Sequence, residues 1–532
     1  MSKNKNLESL KDKIFKRVGI PVGEWTVLAT IESFGIREID AQTDYGYDSL
    51  IELANAIETT ILKEASTVAD AREKKVSKFS SSRQVNAYMN APLTWFFKYY
   101  TAGLLQLFPI IIQVVAIIYF NYSLWTYLDF NRYQSTAVVL GVILGFIVSA
   151  GFVQVIGRQS FFYWQHKKYT KASHIIYSFL KLSVKGIVLV LLVLAAVNFF
   201  FNLYTQRFLL VLLMYAFLVG LLLVTLAPFH PLRKRWVISV SILIATLVAL
   251  FLLKKTTLHV YFTHWLSIAL AIVINMSFLG YFIKKKKKQD TDEPSIPGKL
   301  MVAYKTYRYF FYGILIFVFF FIDRLLAWSV NSQLNSNFIF TYEKNYEIGM
   351  DLAILMFFSL TGVLEYAIST YSRLLDKRQK VLTVGQIQTF NDSFLKLYKK
   401  HLIVFFVTSI IAMSLIYLII TQDWGYLENF GVEVPMLSIY VCIFGVIGYF
   451  FLTWGMMNVL YMFTMNRAKE GLNALVIAVL VNFSTGFLFS RIISYEYSVI
   501  GLLLGSIVFM VLTTRSVRAF FKKMDYYYYA AY

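Results

Sequence analysis

Twelve apolar stretches of membrane-spanning length constrain this chain more than any other feature. They lie at 102–121, 135–157, 185–205, 208–228, 236–253, 262–283, 309–330, 348–370, 402–421, 436–462, 471–490 and 495–514. A helix needs about 20 apolar residues to cross the hydrocarbon core of a bilayer. A soluble core could not hold so many segments of that kind. The sequence therefore predicts an all-α polytopic membrane protein, whose spans we number 1 to 12 in this order.

The charges of the connections predict the orientation of the spans. Lys and Arg crowd into the connections after the even-numbered spans and into the C-terminal tail, for example Arg233 to Arg235 and Lys284 to Lys288. The opposite side holds few basic residues and carries the acidic loop 422–435. Basic loops stay in the cytoplasm during insertion. We therefore expect both termini to be cytoplasmic.

The net charge of +21 would suggest nucleic acid in a soluble protein. Here the positive-inside bias and attraction to anionic lipid of the inner leaflet account for the excess, so no nucleic-acid partner is expected. The single cysteine, Cys442 in span 10, excludes a disulfide framework and a Cys-rich metal site.

Charge and turn residues divide the chain into five regions. We predict a cytoplasmic N-terminal region over 1–100, a first six-helix bundle over 101–283, a cytoplasmic linker over 284–308, a second six-helix bundle over 309–514 and a cytoplasmic tail over 515–532. Transporters of the MATE-like and major-facilitator folds share this layout of two six-helix halves. No sequence identity between the halves establishes a repeat.

The N-terminal region has short helical patterns at Leu7 to Val18 and at Ser49 to Ala65. The triplet Asp48-Ser49-Leu50 is similar to the phosphopantetheine site of acyl carrier proteins. Ser49 and Glu52 also have the spacing of an N-terminal capping box, which needs no prosthetic group. We favour the capping box and a small helical docking domain, followed by a tether or surface helix over 67–92.

Ionisable groups at membrane depth are candidate functional groups because burying them is costly. Span 7 holds Asp323 and Arg324, and span 8 holds Asp351 and Glu365. Neighbouring residues on a helix point about 100° apart, so Asp323 and Arg324 cannot face one partner. Two alternatives stay open for this pair: ion pairing with an adjacent helix, such as Arg324 with Asp351, or lining a cavity. Glu365 has either a structural or a functional role.

Neutral polar and aromatic side chains offer weaker signals. The span amides are expected to form hydrogen bonds between helices; they are Gln106, Gln113, Gln154, Asn198, Asn275 and Asn482. Aromatic residues make up 18% of the chain. Interfacial belts account for most of them, although rings that face a cavity could stack on sugars.

Enzyme chemistry has little support in the sequence. It contains no Walker loop, GxSxG elbow, HExxH motif or dinucleotide fingerprint. His230, His259 and His264 lie at loops or span ends, where a metal cluster would need several helices to converge. We predict no catalytic residue, no cofactor and no metal site.

Spans 7 and 8 carry a more specific pattern. RYFFYGILIFVFFFIDRLLAWS and YEIGMDLAILMFFSLTGVLEYAISTYSRLL resemble the PelG family of Pel exopolysaccharide export proteins, in which an acidic-basic pair precedes a Trp and the next span runs from an Asp to a Glu. GFVQVIGRQSFFYW and the closing FFKKMDYYYY are similar to the corresponding segments of the family. The resemblance covers about residues 95–532. The positions that match the family's motifs are Asp323, Arg324, Trp328, Asp351, Glu365 and Arg158.

The resemblance implies a MATE-like flippase fold and passage of an amino-sugar polymer across the bacterial cytoplasmic membrane. It also implies a cytoplasmic glycosyltransferase and other membrane subunits of a polysaccharide synthesis complex as partners. Two other functions remain open. One is secondary transport of a drug or another small molecule on the MATE-like or major-facilitator fold. The other is a membrane glycosyltransferase or polymerase, which the short outer loops disfavour.

Overall fold

The computed structural model describes residues 2–18, 21, 23–61, 63, 93–287, 299–330, 339–381 and 387–530. The predicted tether 67–92 and most of the predicted linker lie outside these residues. Within them, 12 helices are long and apolar enough to cross a membrane. The prediction of an all-α polytopic membrane protein is therefore confirmed.

The membrane helices extend beyond the apolar stretches that predicted them. Their bounds are Leu93–Phe120, Arg132–Gln165, Tyr169–Phe201, Gln206–Leu226, Trp236–Lys255, Val260–Lys287, Lys299–Trp328, Lys344–Val381, Ile387–Thr421, Met436–Thr464, Ala468–Ile492 and Val499–Lys522. Span 3 begins well before the predicted residue 185, because a helix continues through polar residues as long as its backbone hydrogen bonds can form. Both ends of the predicted linker are helical for the same reason.

Shorter elements connect these helices. A two-stranded antiparallel hairpin, β1 (Tyr122–Ser123) and β2 (Thr126–Tyr127), lies between spans 1 and 2. Short helical turns cover Ala227–Phe229, Tyr426–Phe430 and Tyr495–Ser498. We call the end of the bundle that carries the termini the basic end, and the opposite end, which carries this hairpin, the far end.

The two halves use the same helix pairing. In the first half, span 2 packs on spans 3 and 4, span 6 packs on spans 4 and 5, and span 1 packs on span 5. In the second half, span 8 packs on spans 9 and 10, span 12 packs on spans 10 and 11, and span 7 packs on span 11. The bundle is therefore an internal repeat, although the sequence of the halves did not reveal one.

The halves meet at two equivalent helix crossings. A Cβ on Gly103 of span 1 would lie 2.7 Å from the Cα of Gly362 in span 8. A Cβ on Gly313 of span 7 would lie 2.7 Å from the carbonyl oxygen of Ala150 in span 2. Glycine allows helix backbones to approach this closely. Gly103 of one crossing corresponds to Gly313 of the other, and Gly362 corresponds to Ala150. The number of residues that separates the two members is nearly the same for both corresponding pairs.

Span 1 contacts a helix of each half because its own helix is broken in the middle. Its first part, Leu93–Leu104, packs on span 8, and its second part, Phe108–Phe120, packs on span 5. A turn of 3-10 helix at Leu105–Leu107 separates the two parts. Pro109 follows in the first turn of the second part, where its missing N–H costs no helical hydrogen bond.

The N-terminal region folds around its own small core. Helices α1 (Ser2–Val18), α2 (Glu24–Ser33) and 50–61 bury apolar side chains together, including Ile14, Val27 and Leu53. Ser49 Oγ accepts a hydrogen bond from the Glu52 N–H at 3.2 Å, and the Glu52 carboxylate accepts one from the Asp48 N–H at 3.1 Å. Ser49 therefore caps the helix as predicted, and the return bond goes to Asp48 rather than to Ser49 itself.

This N-terminal core rests on the C-terminal helix Met524–Ala530. The rings of Trp25 and Tyr526 meet edge to face at 6.0 Å, and the Tyr526 hydroxyl donates to the Glu32 carboxylate at 3.0 Å. The Lys523 ammonium lies 4.4 Å from the centre of the Trp25 ring. Helix α2 is thus fixed to the end of the chain that follows span 12.

Candidate functional site

A charge cluster lies at the far end of the second half. It comprises Asp323, Arg324 and Trp328 of span 7 and Glu347 and Asp351 of span 8. The first four are buried, whereas the Asp351 side chain is 67% exposed. The cluster therefore joins buried charges to one carboxylate that the rest of the protein leaves uncovered.

Arg324 is the centre of this cluster. Its Nη1 forms an ion pair with Glu347 and lies 3.2 Å from Asp351 Oδ1. Glu347 also accepts a hydrogen bond from the Trp328 indole N–H at 2.9 Å. A buried ion pair is tolerated when further hydrogen bonds satisfy its atoms. The pairing of Arg324 with Asp351, one of the two alternatives considered above, is confirmed.

Asp323 has a separate partner. The Tyr346 hydroxyl donates to its Oδ2 at 2.7 Å, while Oδ1 is buried with no hydrogen bond among the described residues. Asp323 and Arg324 therefore do not share a partner, as their angular separation predicts. Of the two buried carboxylates in this region, Glu347 pairs with the Arg324 guanidinium and Asp323 does not.

Glu347 was missed by the sequence argument. We expected span 8 to begin at residue 348, which placed Glu347 outside the membrane, but the helix begins at Lys344. The available signal was the spacing of Glu347 and Asp351. Residues four apart lie on one helix face, so both carboxylates could have been assigned to one cation.

Glu365 lies nearer the basic end and joins the two halves. It accepts a hydrogen bond from Gln106 Nε2 of span 1 at 3.0 Å, and its other oxygen lies 3.3 Å from Arg235 Nη1 at the start of span 5. The side chain is 29% exposed. Glu365 is therefore remote from the charge cluster although both are on span 8.

Arg158 forms a second bridge between the halves at the basic end. Its guanidinium lies 4.0 Å from the centre of the Tyr309 ring in span 7. It donates to the Phe463 carbonyl at 3.1 Å and to Asn466 Oδ1 at 3.0 Å, at the end of span 10. Asn466 adopts a left-handed backbone conformation, with φ of 61°, and also accepts from the Tyr309 hydroxyl.

The far end also carries bridges between the halves, and these involve residues that the sequence argument did not single out. Arg132 of span 2 pairs with Glu343 and donates to the Tyr342 carbonyl at 3.0 Å. Thr136 accepts from the Tyr342 N–H at 2.9 Å. The halves are therefore held together by polar contacts at both ends.

The prediction that amide side chains in the spans form hydrogen bonds between helices is confirmed for some of them and wrong for others. Gln106, Gln113 and Asn482 form hydrogen bonds between helices, the last two with Thr246 at 2.8 Å and the Phe319 carbonyl at 3.2 Å. The prediction is wrong for Asn198, which binds the backbone of Tyr204 just after its own helix.

The prediction is also wrong for Asn275, whose side-chain nitrogen and oxygen are both buried with no hydrogen bond among the described residues. For Gln154 it stays a prediction. Within the residues that the structure describes, no group of three His, Cys, Asp or Glu side chains is placed to hold a metal ion. His264 instead forms a hydrogen bond with the Tyr215 hydroxyl.

The sequence matches no protein-family model and no curated protein. The structure is similar to solved MATE structures. An outward-facing multidrug resistance MATE family transporter of the MOP superfamily aligns with a TM-score of 0.58 and 11% identity, covering 82% of this chain and 97% of that one. A MOP superfamily transporter from Pyrococcus furiosus, described as having a binding pocket of reverse polarity, aligns with a TM-score of 0.56 and 12% identity, covering 82% and 98%.

A MATE in a bent conformation gives a TM-score of 0.54 at 12% identity, covering 83% of this chain and 98% of that one. At this identity the likeness establishes the fold alone. The fold is that of the MATE transporters, as the sequence resemblance implies, rather than the major-facilitator fold. The polysaccharide-export part of the resemblance stays a prediction.

Proposed function

We propose that this protein is a transporter that moves a glycan, a Pel-like amino-sugar polymer, across the bacterial cytoplasmic membrane. The basic end faces the cytoplasm in this proposal, because it carries most of the Lys and Arg residues of the connections. The MATE fold supports transport between two six-helix halves.

The observation that carries the proposal is the form of the charge cluster. Asp351 presents an exposed carboxylate to which Arg324 is paired from the buried side, and Arg324 is in turn held by Glu347, which accepts from Trp328. An amino sugar with a free amine is a cation with several hydroxyl donors. It can therefore satisfy a carboxylate that has one guanidinium neighbour, and it can do so without leaving an unpaired charge in the membrane.

The resemblance of spans 7 and 8 to the Pel export family supports the same substrate class, since the matched residues Arg324, Trp328 and Asp351 are joined directly or through Glu347. Glu365 and Arg158 lie apart from this cluster and join the halves instead. We assign them to the opening and closing of the basic end rather than to substrate contact.

The partners follow from the same proposal. A polymer must be delivered to the basic end by a cytoplasmic glycosyltransferase, and we assign its docking to the N-terminal domain. Helix α2 fixes that domain to the C-terminal helix through Trp25 and Tyr526. A docked enzyme would thus be held beside the second half.

The test is secretion of glycan by cells that carry Asp323→Asn or Asp351→Asn, measured together with the amount of protein in the membrane. We expect both variants to insert at normal abundance and to lose most of the secreted glycan. Glu433→Gln is the matched control, because Glu433 is an exposed carboxylate in a far-end loop. Normal secretion from both variants would remove these carboxylates from the route.

A second function has one specific observation in its favour. Asp323 is fully buried and has an oxygen with no hydrogen bond among the described residues, which suits a proton or a metal cation that is coupled to transport of a small molecule. Reconstituted protein that accumulates a cationic dye under a proton or sodium gradient, and binds no saccharide, would favour this alternative.

A further inference from the structure

A groove runs between spans 3 and 6 at the basic end of the first half. Its floor is Gly280 of span 6, where an added Cβ would meet, among the described residues, only the Tyr177 hydroxyl of span 3, at 4.0 Å. On the protein side of the groove the two helices pack together, for example through Ile176 and Leu279. Four exposed lysines stand on its walls: Lys181 and Lys185 on span 3, and Lys284 and Lys285 on span 6. We call this surface the lysine groove.

The lysine groove lies at the depth of lipid headgroups. Span 3 has 33 residues and is therefore about 50 Å long, whereas the hydrocarbon core of a bilayer is about 30 Å thick. Phe199 to Phe201 at its far end are all exposed, and because uncovered rings are costly in water, the hydrocarbon reaches that end. About 20 residues back from Phe201 the helix leaves the hydrocarbon, which is near Lys181. Below that level the helices expose Leu189 and Val273 to the lipid tails.

The four lysines converge on one level because spans 3 and 6 run in opposite directions. A side chain on a helix leans toward the N-terminus of that helix. Span 3 begins at the basic end, so Lys181 and Lys185 lean back toward that end. Span 6 ends there, so Lys284 and Lys285 lean toward the bilayer. The Lys285 ammonium accordingly lies 6.0 Å from the ring centre of Tyr281, one turn earlier. Four ammonium groups thus surround the floor of the groove.

No acidic side chain of the first half balances these cations. Residues 101–288 contain a single Asp or Glu, which is Asp129 in the far-end connection between spans 1 and 2. The positive-inside rule does not explain this composition, because it counts Lys and Arg and is nearly indifferent to Asp and Glu. Acidic residues are disfavoured instead where they would repel a bound anion. The charge of the lysine groove is therefore complementary to an anionic ligand.

In the second half the corresponding surface is covered by protein. Spans 9 and 12 correspond to spans 3 and 6 in the shared helix pairing. The helix Met524–Ala530, which follows span 12, packs on span 9. Asn391 of span 9 donates to the Lys522 carbonyl at 3.1 Å and to the Asp525 carboxylate at 3.0 Å. Among the described residues no such helix follows span 6, whose own helix ends at Lys287. The described part of the first half thus leaves uncovered a place that the second half fills.

We propose that the lysine groove binds an anionic phospholipid from the leaflet at the basic end. The phosphodiester of the lipid lies among the four ammonium groups, and its acyl chains run along the exposed apolar side chains of spans 3 and 6. The absence of a side chain at Gly280 makes room for the glycerol backbone. Both walls belong to the first half and face the bilayer, so this lipid is a bound component of the protein rather than cargo between the halves. The inference does not depend on the transported substrate.

Native mass spectrometry of the full-length protein in neutral detergent, with added lipid, tests the proposal. The probes are phosphatidylglycerol, which is anionic, and phosphatidylcholine, which is zwitterionic. We expect phosphatidylglycerol to bind more tightly and to raise the thermal unfolding temperature, because a ligand of the folded state stabilises it. Lys181→Gln combined with Lys185→Gln should weaken this binding about 25-fold, since each lysine beside an anionic headgroup contributes about fivefold in affinity.

Two further variants keep the result specific to the groove. Gly280→Leu fills the floor and leaves every charge in place, so it should also weaken the binding of phosphatidylglycerol. Lys396→Gln combined with Lys399→Gln is the matched control, because it removes two exposed cations from span 9 at the basic end of the second half. This control should bind phosphatidylglycerol like the wild type.

Four other outcomes would each overturn the proposal. The first is that the wild type binds both lipids equally or binds neither. The second is that the span 3 and Gly280→Leu variants keep wild-type binding, or that the span 9 control loses as much as they do. The third is full competition by soluble glycerol phosphate, which would identify a site for a free phosphate ester. The fourth is binding that appears only after Asp290→Asn, Asp292→Asn and Glu293→Gln, which would make the acidic segment after span 6 the occupant. None of these results bears on glycan secretion.

Discussion

The two halves of the bundle share one helix pairing but bury different chemistry. In the described part of the first half no Asp, Glu, Lys or Arg is buried, and the polar contacts buried inside it are neutral, such as Gln113 with Thr246 and with the Leu124 N–H. The second half buries Asp323, Arg324 and Glu347.

The first half is therefore an internal control for the second. Because the same pairing of six helices forms without buried charges, those charges are not required by the fold. Replacing a buried ion pair with apolar groups is often neutral or stabilising, so stability alone does not explain the buried charges of the second half, which agrees with the transport role that we propose for them. Three predictions test this contrast.

The largest effect is expected from Arg324→Met. This change leaves Glu347 buried without its paired cation, and loss of one partner of a buried pair typically lowers the free energy of unfolding by about 3–5 kcal/mol. We expect a large fall in membrane abundance and in the thermal unfolding temperature of the purified protein.

Adding Glu347→Gln to Arg324→Met should recover part of the lost stability, because the neutral amide oxygen can still accept the hydrogen bond from the Trp328 indole N–H. If the protein with Arg324→Met alone were as stable as the wild type, the view that Arg324 balances the charge of the carboxylates it contacts would be contradicted.

The sequence predicted the parts of the molecule that hydropathy controls. All twelve spans followed from apolar length, and the pairing of Arg324 with Asp351 was one of the two alternatives that charge position left open. Glu347 did not, because the start of span 8 runs four residues beyond its apolar stretch. Helix ends depend on backbone hydrogen bonding and on caps, which hydropathy does not report.

The internal repeat could not be predicted for a different reason. Helix packing in a membrane fixes close contacts such as Gly103 on Gly362 and Gly313 on Ala150, while most other positions need only be apolar. Two halves can therefore keep one arrangement with no visible sequence identity. The bridges of Arg158 and Glu365 across the halves likewise depend on this arrangement.

A smaller effect is expected from Gly103→Ala and Gly313→Ala. In each case the new Cβ would lie 2.7 Å from backbone atoms of the other half, and overpacking of this kind costs about 1–3 kcal/mol. If the halves are a true repeat, the two variants should lower the unfolding temperature by similar amounts.

Gly157→Ala is the control for these variants, because a Cβ there has no atom within 4 Å. It should be neutral or slightly stabilising, since Ala favours a helix over Gly by up to about 1 kcal/mol. Very different losses from Gly103→Ala and Gly313→Ala would show that the two crossings are not equivalent.

The smallest effect on stability is expected from Glu365→Gln, which gives the second half the residue that the first half has at the equivalent position. A Cβ on Gly103 would lie 3.1 Å from Glu365 Cβ, and a Cβ on Gly313 would lie 2.7 Å from Gln154 Cγ, so Glu365 and Gln154 are counterparts.

In Glu365→Gln the amide oxygen can still accept from Gln106, and only the pair with Arg235 is lost. That pair is partly exposed, with side chains 29% and 39% accessible, and exposed pairs contribute at most about 1 kcal/mol. Thermal unfolding should therefore match the wild type within a few degrees while glycan secretion falls. A large loss of stability would mean that the charge of Glu365 holds the halves together, and that the neutral first half is not a fair model for the second.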